Sequence, residues 1–208
     1  MPQLASERMT LGQNGPTFQP MGLGTWSWGD NMTWGYKSGT YTDDDIAAAF
    51  QVALDNGITF FDTAEVYGFG KSEQILGRLI KQTTQPVVIA SKYFPYPWRL
   101  SKRTIKSALT RTLKRLDLPH VDLYQVHWPL HVYSLEKVIS GMADMVEAGL
   151  TKQVGVSNYN LEQTKQAQSI LKSRGLSLAS NQVEFSLIKR TPETTGLLDY
   201  CKEQDSLR

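Results

Sequence analysis

Six short segments of nearly continuous hydrophobic residues recur along the chain, and they are rich in valine, isoleucine, phenylalanine and tyrosine. A strand with one exposed face would instead alternate hydrophobic and polar positions. Continuous runs are typical of strands that are buried on both faces, as in parallel sheets. The pattern therefore predicts six parallel strands, within MGLGTWS, ITFFDTA, PVVIASKYF, VDLYQVHWP, QVGVSNY and ASNQVEFSLI.

Helical patterns with defined start and stop signals separate these segments. Thr42 with Asp45, and Asn160 with Gln163, have the spacing of capping boxes at helix N-termini. Glycine favours helix ends because it adopts the left-handed conformation that commonly follows the last turn. The sequence places helix ends at Gly57, Gly149 and Gly175, and a further helix start at Ser101.

From the second segment onward, the predicted strands begin near residues 58, 87, 121, 153 and 179. This spacing indicates repeated strand–helix units with right-handed crossovers, as in a doubly wound sheet or a (β/α)8 barrel. A dinucleotide-binding doubly wound sheet carries G-x-G-x-x-G after its first strand. Here Ser27 and Glu73 occupy the third glycine position of the two incomplete matches. Neither match is complete, and polar residues at the C-terminal ends of several strands favour a barrel, so the α/β fold is predicted to be of the (β/α)8 TIM-barrel type.

Polar residues lie at the C-terminal ends of the predicted strands. In a barrel these ends converge on one mouth, where the chemistry takes place. One shared site is therefore expected, from Asp62, Lys92, His127, Ser157, Asn158 and Gln182, with Gln182 and Glu184 both placed in the sixth strand.

Lys92 follows VVIAS on a strand that would lie near the barrel axis. A buried lysine is costly unless its charge is paired, and Asp62 is the nearest candidate partner. A structural ion pair and a catalytic pair both fit this observation. Tyr67 adds a proton donor, because a neighbouring ammonium favours the phenolate and should lower its pKa. With His127 donating a hydrogen bond to a carbonyl oxygen, the group would protonate a carbonyl as a hydride arrives.

The chain resembles the aldo-keto reductase family at this point. Six segments match in family order: GLGTW, FFDTAEVYGFGKSEQILG, VIASKY, DLYQVHWP, VGVSNY and NQVEFS. The resemblance covers about residues 21–190. It implies NADPH-dependent reduction of a small-molecule aldehyde or ketone.

The resemblance also implies residue roles. Asp62, Tyr67, Lys92 and His127 would form the catalytic tetrad. The expected cofactor contacts are the Thr25–Trp26 segment and Asp62, together with Ser157, Asn158 and Gln182, which would hydrogen-bond the nicotinamide carboxamide.

The stretch GFGKS resembles the second half of a phosphate-binding P-loop. That loop needs a glycine five residues before Gly70, so that backbone N–H groups can surround the phosphate, and the chain has Glu65 there. The glycines are instead interpreted as a sharp turn into a helix that begins near Ser72. Lys71 is expected to be a solvated loop residue.

Composition and charge argue against nucleic-acid and membrane partners. A net charge of +2 is too weak to indicate nucleic-acid binding, and the basic residues of 101–116 alternate with apolar ones as on the solvated face of an amphipathic helix. No apolar run approaches the length of a membrane span. The single cysteine, Cys201, fits a reducing compartment. The expected location is cytoplasmic, with a plastid or other organelle stroma as the alternative.

Two further features have competing interpretations. His127 and His131 are four residues apart, but Pro129 between them disfavours a helix and no third ligand is evident, so no metal site is predicted. Aromatic residues concentrate after the first and third predicted strands. They could line an apolar pocket or pack against the barrel rim, and both interpretations stay open, for Trp28, Trp34, Tyr36, Tyr93, Phe94, Tyr96, Trp98 and Trp128.

The predicted units number six, whereas a (β/α)8 barrel has eight and takes about 250 residues. Residues 1–208 are therefore expected to form a single barrel domain that is incomplete at its C-terminus. A catalytically silent reductase-like fragment, acting as a binding or interaction module, is the alternative to an active enzyme. The sequence assigns no oligomeric state.

Overall fold

A six-stranded parallel sheet forms the centre of the protein, as described by a computed structural model that covers residues 8–99, 101–130 and 134–204. The strands lie in chain order, so each one pairs with the next along the sequence, and their numbering starts after a two-stranded N-terminal hairpin, β1 (Met9–Thr10) and β2 (Thr17–Phe18). Their bounds are Gly22–Gly24 (β3), Phe60–Asp62 (β4), Val88–Tyr93 (β5), Val121–Val126 (β6), Thr151–Ser157 (β7) and Leu178–Gln182 (β8).

Helices connect the strands in a repeated strand–helix order. They are α1 (Asp43–Asp55), α2 (Lys71–Ile80), α3 (Lys102–Leu116), α4 (Leu135–Glu147) and α5 (Leu161–Lys172), followed by α6 (Thr191–Thr194) and α7 (Leu197–Glu203). A 3-10 turn, Tyr67–Gly70, precedes α2. Within the described residues, no helix is long and apolar enough to cross a membrane.

The predicted helix signals are present at both capping boxes. The Thr42 N–H donates to the Asp45 carboxylate at 2.8 Å. At α5 the Gln163 N–H donates to Asn160 Oδ1 at 2.9 Å, and the Asn160 N–H donates back to Gln163 Oε1 at 3.0 Å. These reciprocal bonds satisfy N–H groups that a helix N-terminus otherwise leaves free.

The central strands are buried on both faces, as the continuous hydrophobic runs predict. All six residues of β5 and all six of β6 are buried. Helix residues such as Leu109 and Ile139 pack on the outer face of the sheet. A second cluster lies on the inner face and includes Leu11, Phe18, Val88 and Leu123.

An N-terminal hairpin supplies part of this inner cluster. The sequence patterns did not predict this hairpin. Strands β1 (Met9–Thr10) and β2 (Thr17–Phe18) pair antiparallel. The Phe18 ring stacks on Phe60 at the start of β4, with 4.7 Å between ring centroids. The hairpin therefore covers the amino end of the barrel and leaves the carboxyl ends of the strands open.

The sheet curls until its last strand reaches its second. Gln182 Nε2, at the end of β8, donates to Asp62 Oδ2, at the end of β4, over 3.2 Å. Below this contact a cavity of about 520 Å³ opens between β3 and β8. The described part of the chain thus forms a partial barrel whose edge strands face each other across the cavity.

The prediction that Glu184 lies in the sixth strand is wrong. Strand β8 ends at Gln182, which pairs with Ser157 at the end of β7. The backbone leaves the sheet there, because β7 offers no further partner. Glu184 is exposed, and its carboxylate accepts a hydrogen bond from Lys189 Nζ at 3.0 Å.

Behind the mouth, a buried carboxylate ties α2 to the sheet and to α3. The Glu73 side chain is 0% exposed, accepts a hydrogen bond from Ser91 Oγ at 2.7 Å, and forms an ion pair with Arg115. Ser91 precedes Lys92 on β5, but its side chain points to the opposite face of the strand. This contact fixes the start of α2 relative to the strand that carries Lys92.

Glu73→Ala should lower the free energy of unfolding by about 3 kcal/mol or more, since it leaves the partly buried Arg115 without its partner. Urea denaturation followed by circular dichroism measures the change. Glu162→Ala is the matched control, because it removes an exposed partner of Lys165 and should cost less than about 1 kcal/mol. Equal losses for the two variants would contradict the assigned role of Glu73.

Candidate active site

The strand register brings the predicted polar residues to one end of the sheet. Asp62 is the last residue of β4, Lys92 the penultimate residue of β5, and His127 directly follows β6. Asp62 pairs with Ala90, so Lys92 extends two residues further toward the mouth. Tyr67 begins the 3-10 turn that follows β4. The structure therefore brings together all four residues expected to be catalytic.

Lys92 and Asp62 form a close ion pair. Lys92 Nζ lies 2.6 Å from each Asp62 carboxylate oxygen and also donates to the Thr63 carbonyl oxygen at 3.1 Å. The Lys92 side chain is 1% exposed and that of Asp62 13%. Burial of an ammonium is tolerated when such partners replace its hydration, so this pair fixes the position of the charge.

The Tyr67 hydroxyl is the third partner of the ammonium, with Nζ to Oη at 3.2 Å. Lys92 lowers the pKa of Tyr67, as expected, but the expected net lowering is wrong. Burial raises the pKa of Tyr67 above its ordinary value of 10.0 by more than Lys92 lowers it, and Asp62 raises it further. The phenol therefore stays protonated at neutral pH, which is the form that a proton donor requires.

His127 completes the group through ring packing. Its imidazole lies edge-on to Tyr67, with centroids 5.7 Å apart, and edge-on to Phe94 at 5.8 Å. Burial and the Lys92 charge lower the pKa of His127 from 6.5 to about 4. The ring is therefore neutral at physiological pH and carries one N–H, which can donate to a carbonyl oxygen.

The three residues expected to hold a carboxamide form one cluster. Ser157 Oγ and the Asn158 N–H both donate to the Gln182 carbonyl oxygen at 2.9 Å, and Asn158 Nδ2 donates to the His127 carbonyl oxygen at 3.2 Å. Asn158 has a φ of 62°, a left-handed conformation that asparagine tolerates better than most residues. The cluster joins the ends of β6, β7 and β8 beside Asp62.

Thr25 and Trp26 take different positions. Thr25 is 0% exposed, and its N–H and Oγ1 both donate to the Asp62 carbonyl oxygen, at 2.9 and 3.1 Å. Trp26 is 55% exposed, and its ring lies 6.4 Å from that of Tyr67. Thr25 thus supports the backbone of Asp62, while Trp26 faces the mouth. Their contacts with a cofactor stay a prediction.

The GFGKS stretch is a turn into α2. Gly70 has a φ of +89° and precedes the first residue of the helix, Lys71, which is exposed. Ser72 is fully buried, and its Oγ lies 2.6 Å from Thr25 Oγ1 and 2.9 Å from Thr63 Oγ1. These three hydroxyls join β3, β4 and α2 directly behind Asp62.

Sequence reasoning missed this hydroxyl cluster and the role of Glu65. The sequence signal was present, because Thr25, Thr63 and Ser72 are small polar residues next to predicted strand or helix ends. Glu65 accepts from the Phe94 N–H at 2.8 Å and forms an ion pair with Arg99. No sequence signal connects Glu65 with Arg99, which lies 34 residues further along the chain.

The aromatic residues divide between the two interpretations. Trp28, Tyr36 and Tyr93 are buried and pack within the protein. A second group has exposed surface near the mouth or on the loop after β5, namely Trp34, Trp98 and Trp128. Phe94, Tyr96 and Trp98 form a run of ring contacts, with 4.7 Å between successive centroids.

A metal site finds no support among residues 8–99, 101–130 and 134–204, where no three potential ligands cluster. His131, the candidate partner of His127, lies outside the described residues.

The chain belongs to the aldo/keto reductase family, whose profile it matches over residues 20–206. It is 40% identical over 197 residues to pyridoxal reductase, chloroplastic, from Arabidopsis thaliana, covering 88% of this chain and 53% of that protein. It is 33% identical over 206 residues to aldo-keto reductase YhdN from Bacillus subtilis, covering 95% of this chain and 59% of that protein. The chain thus spans about half the length of the curated relatives it matches.

Solved structures agree with this assignment. A thermostable aldo-keto reductase in complex with the inhibitor epalrestat matches with a TM-score of 0.82 and 33% identity, covering 97% of this chain and 71% of that chain. An aldo/keto reductase from Klebsiella pneumoniae in complex with NADP and acetate matches with a TM-score of 0.75 and 27% identity, covering 95% and 66%. The predicted fold class is confirmed, as a partial (β/α)8 barrel with six of its strands.

The His127 pKa of about 4 predicts a defined titration. With isotope-labelled histidine, the His127 NMR signal should not shift between pH 8 and about pH 5, whereas in urea it should titrate near 6.5. The unfolded chain therefore binds this proton first as the pH falls. The resulting contribution to stability is complete above about pH 6.5 and is lost as the pH falls toward 4. A folded-state pKa near 6.5 would contradict the assigned burial of the ring.

Proposed function

We propose that this chain carries the active site of an NADPH-dependent reductase that converts an aldehyde or ketone to an alcohol, with Tyr67 as the proton donor. The observation that carries the proposal is the contact of one buried ammonium with both a carboxylate and a phenol. Lys92 Nζ lies 2.6 Å from Asp62 and 3.2 Å from the Tyr67 hydroxyl. A purely structural ion pair does not require a phenol as third partner.

The roles follow from the charges. The Tyr67 phenol is protonated before reaction and becomes a phenolate as its proton passes to the carbonyl oxygen. Lys92 stabilises that phenolate, because an adjacent positive charge favours the ionised form. Asp62 keeps the ammonium in place through both carboxylate oxygens. No covalent nucleophile takes part in this scheme.

His127 positions the carbonyl in the same scheme. Its neutral ring borders Tyr67, so an oxygen that accepts from both residues would lie between them. A neutral donor polarises the carbonyl without competing with Tyr67 for the role of acid. The low pKa of His127 supports this role, since the ring stays uncharged over the physiological range.

NADPH is the proposed cofactor and supplies the hydride when bound. Ser157, Asn158 and Gln182 would hold its carboxamide, because their amide and hydroxyl groups offer both donors and acceptors. Asn158 Nδ2 donates to Ser157 Oγ at 3.0 Å, so these two side chains are adjacent at the mouth. The solved relatives in complex with NADP and with NADPH support this choice.

The proposed substrate is a small carbonyl compound that enters between exposed aromatic residues. Trp26 and Trp34 are in edge contact on one side of the mouth, with 5.5 Å between centroids, and Phe94 borders His127 on the other.

A cytoplasmic location stays a prediction. The chloroplastic relative makes a plastid stroma the second compartment to test.

A second candidate function is a binding module without turnover. The open cavity of about 520 Å³ between β3 and β8 favours it, because Asp62 and Gln182 line this cavity and so lie at its boundary. Solvent that reaches Asp62 from this side would weaken its hold on Lys92. NADPH binding without consumption of any aldehyde would favour this candidate over the reductase.

Tyr67→Phe should reduce kcat for aldehyde reduction by about 10²- to 10⁴-fold, since it deletes the donated proton and little else. NADPH consumption with a nitro-substituted benzaldehyde measures kcat, and fluorescence titration measures the NADPH Kd. The Kd should change only a few-fold, because the ring and its packing remain. Tyr41→Phe is the control, as it removes a hydroxyl away from Lys92. A Tyr67→Phe variant that keeps about a tenth of kcat would exclude Tyr67 as the donor.

Lys92→Met and Asp62→Asn should move the pH dependence of kcat in opposite directions. Activity requires protonated Tyr67 and therefore falls as the pH rises through the Tyr67 pKa. Lys92 lowers that pKa and Asp62 raises it, so Lys92→Met should shift the alkaline limb to higher pH and Asp62→Asn to lower pH. Lys92→Met should also lower kcat by about 10²-fold or more.

The control for these variants is Lys152→Met, which removes a lysine paired with Asp122 at the other end of the sheet. Its pH profile should match that of the unmodified protein. Unchanged profiles for all three variants would assign the Asp62–Lys92 pair a structural role only.

A further inference from the structure

Glu65 connects the loop that carries Tyr67 with the loop that follows β5. Its side chain is 7% exposed, although the residue lies two positions before Tyr67 at the mouth. One carboxylate oxygen accepts the Phe94 N–H at 2.8 Å, and the other accepts from Arg99 Nη2 at 2.9 Å. Arg99 Nη1 also donates to Glu65, which makes the ion pair bidentate.

Arg99 closes the loop after β5 onto itself. Its Nη1 donates to the Phe94 carbonyl oxygen at 2.8 Å, five residues earlier. The guanidinium also lies 5.0 Å from the ring centroids of Tyr93 and Tyr96, in cation–π contact with both. Both backbone polar groups of Phe94 are thus bound by the Glu65–Arg99 pair, and the pair is itself held between two rings.

Phe94 contacts His127 directly. The two rings meet edge to face, with 5.8 Å between centroids and 81° between planes. The His127 backbone N–H is fixed by the Tyr93 carbonyl oxygen at 2.9 Å. In contrast, His127 Nδ1 is buried and has no hydrogen-bond partner among the described residues. Packing against Phe94 and Tyr67, rather than a hydrogen bond, therefore sets the orientation of the imidazole.

We propose that Glu65 and Arg99 are positioning residues, which hold Phe94 against His127 and so aim the imidazole at the carbonyl oxygen of the substrate. The assignment rests on the proposed function for its catalytic consequence, but the effect on the His127 ring is independent of catalysis. A bidentate guanidinium–carboxylate pair suits this task, because its geometry fixes orientation as well as distance. A lysine at position 99 would keep the charge and lose the second bond.

The first experiment measures the His127 ring and needs no turnover. The His127 NMR titration should move from a pKa of about 4 toward 6.5 in Arg99→Met, since a loosened Phe94 admits water to the ring. Phe94→Leu should produce the same shift with the ion pair intact, and it carries the test if Arg99→Met fails to fold. Arg174→Met is the matched control, because Arg174 pairs with Asp144 and Glu147 on the outer helix layer. An unmoved His127 titration in both Arg99→Met and Phe94→Leu would overturn the proposal.

The second experiment separates orientation from cofactor binding. Arg99→Met should lower kcat by about tenfold or more while the NADPH Kd changes only a few-fold, since a small misplacement of a reacting group can cost on the order of 10²-fold. The kcat of Arg99→Lys should lie between those of Arg99→Met and the unmodified protein. A shifted His127 titration with undiminished kcat in Arg99→Met would overturn the catalytic part. Failure of the unmodified chain to reduce any aldehyde would instead count against the proposed function, and the titration would still test the positioning.

Discussion

The buried ammonium of Lys92 is the interaction on which the site depends. An isolated ammonium in a protein interior is strongly disfavoured, and the cost is offset only if partners replace its hydration shell. Lys92 has such partners in Asp62, the Thr63 carbonyl oxygen and Tyr67. Each lies on the segment that begins with β4, so the parallel pairing of β4 with β5 assembles the candidate site.

A second layer of buried polar contacts holds β3, β4 and α2 together next to the Asp62–Lys92 pair. The hydroxyls of Thr25, Thr63 and Ser72 satisfy one another in a fully buried position. Thr25 also binds the carbonyl oxygen of Asp62. Buried polar networks of this kind rigidify a structure when every member is satisfied. Movement of α2 would break them, so the turn that carries Tyr67 is coupled to the strand that carries Asp62.

The sequence predicted the fold and the location of the site because both follow from local patterns. Continuous apolar runs identified the strands, capping boxes identified α1 and α5, and the rule that barrel chemistry lies at strand C-termini located Asp62, Lys92 and His127.

The net direction of the Tyr67 pKa shift could not be predicted from the sequence, because it depends on how deeply the ring is buried. The pairing of Glu65 with Arg99 depends on two loops meeting, and neither loop has a sequence period. The β1–β2 hairpin was missed for a similar reason, since its strands have only two residues each.

The four groups of the site carry no net charge before reaction, and this balance sets the protonation state from which the proposed chemistry starts. Asp62 and Lys92 neutralise each other, while Tyr67 and His127 are both uncharged at neutral pH. Transfer of the phenolic proton to a substrate leaves a negative charge on Tyr67 beside Lys92. The Lys92 ammonium is then shared between this charge and the Asp62 carboxylate. Alcohol oxidation would require that phenolate before reaction begins, and burial together with Asp62 disfavours it. Carbonyl reduction starts from the protonated phenol, which is the dominant form. The same carboxylate that fixes the ammonium therefore also helps to keep the Tyr67 phenol protonated before reaction.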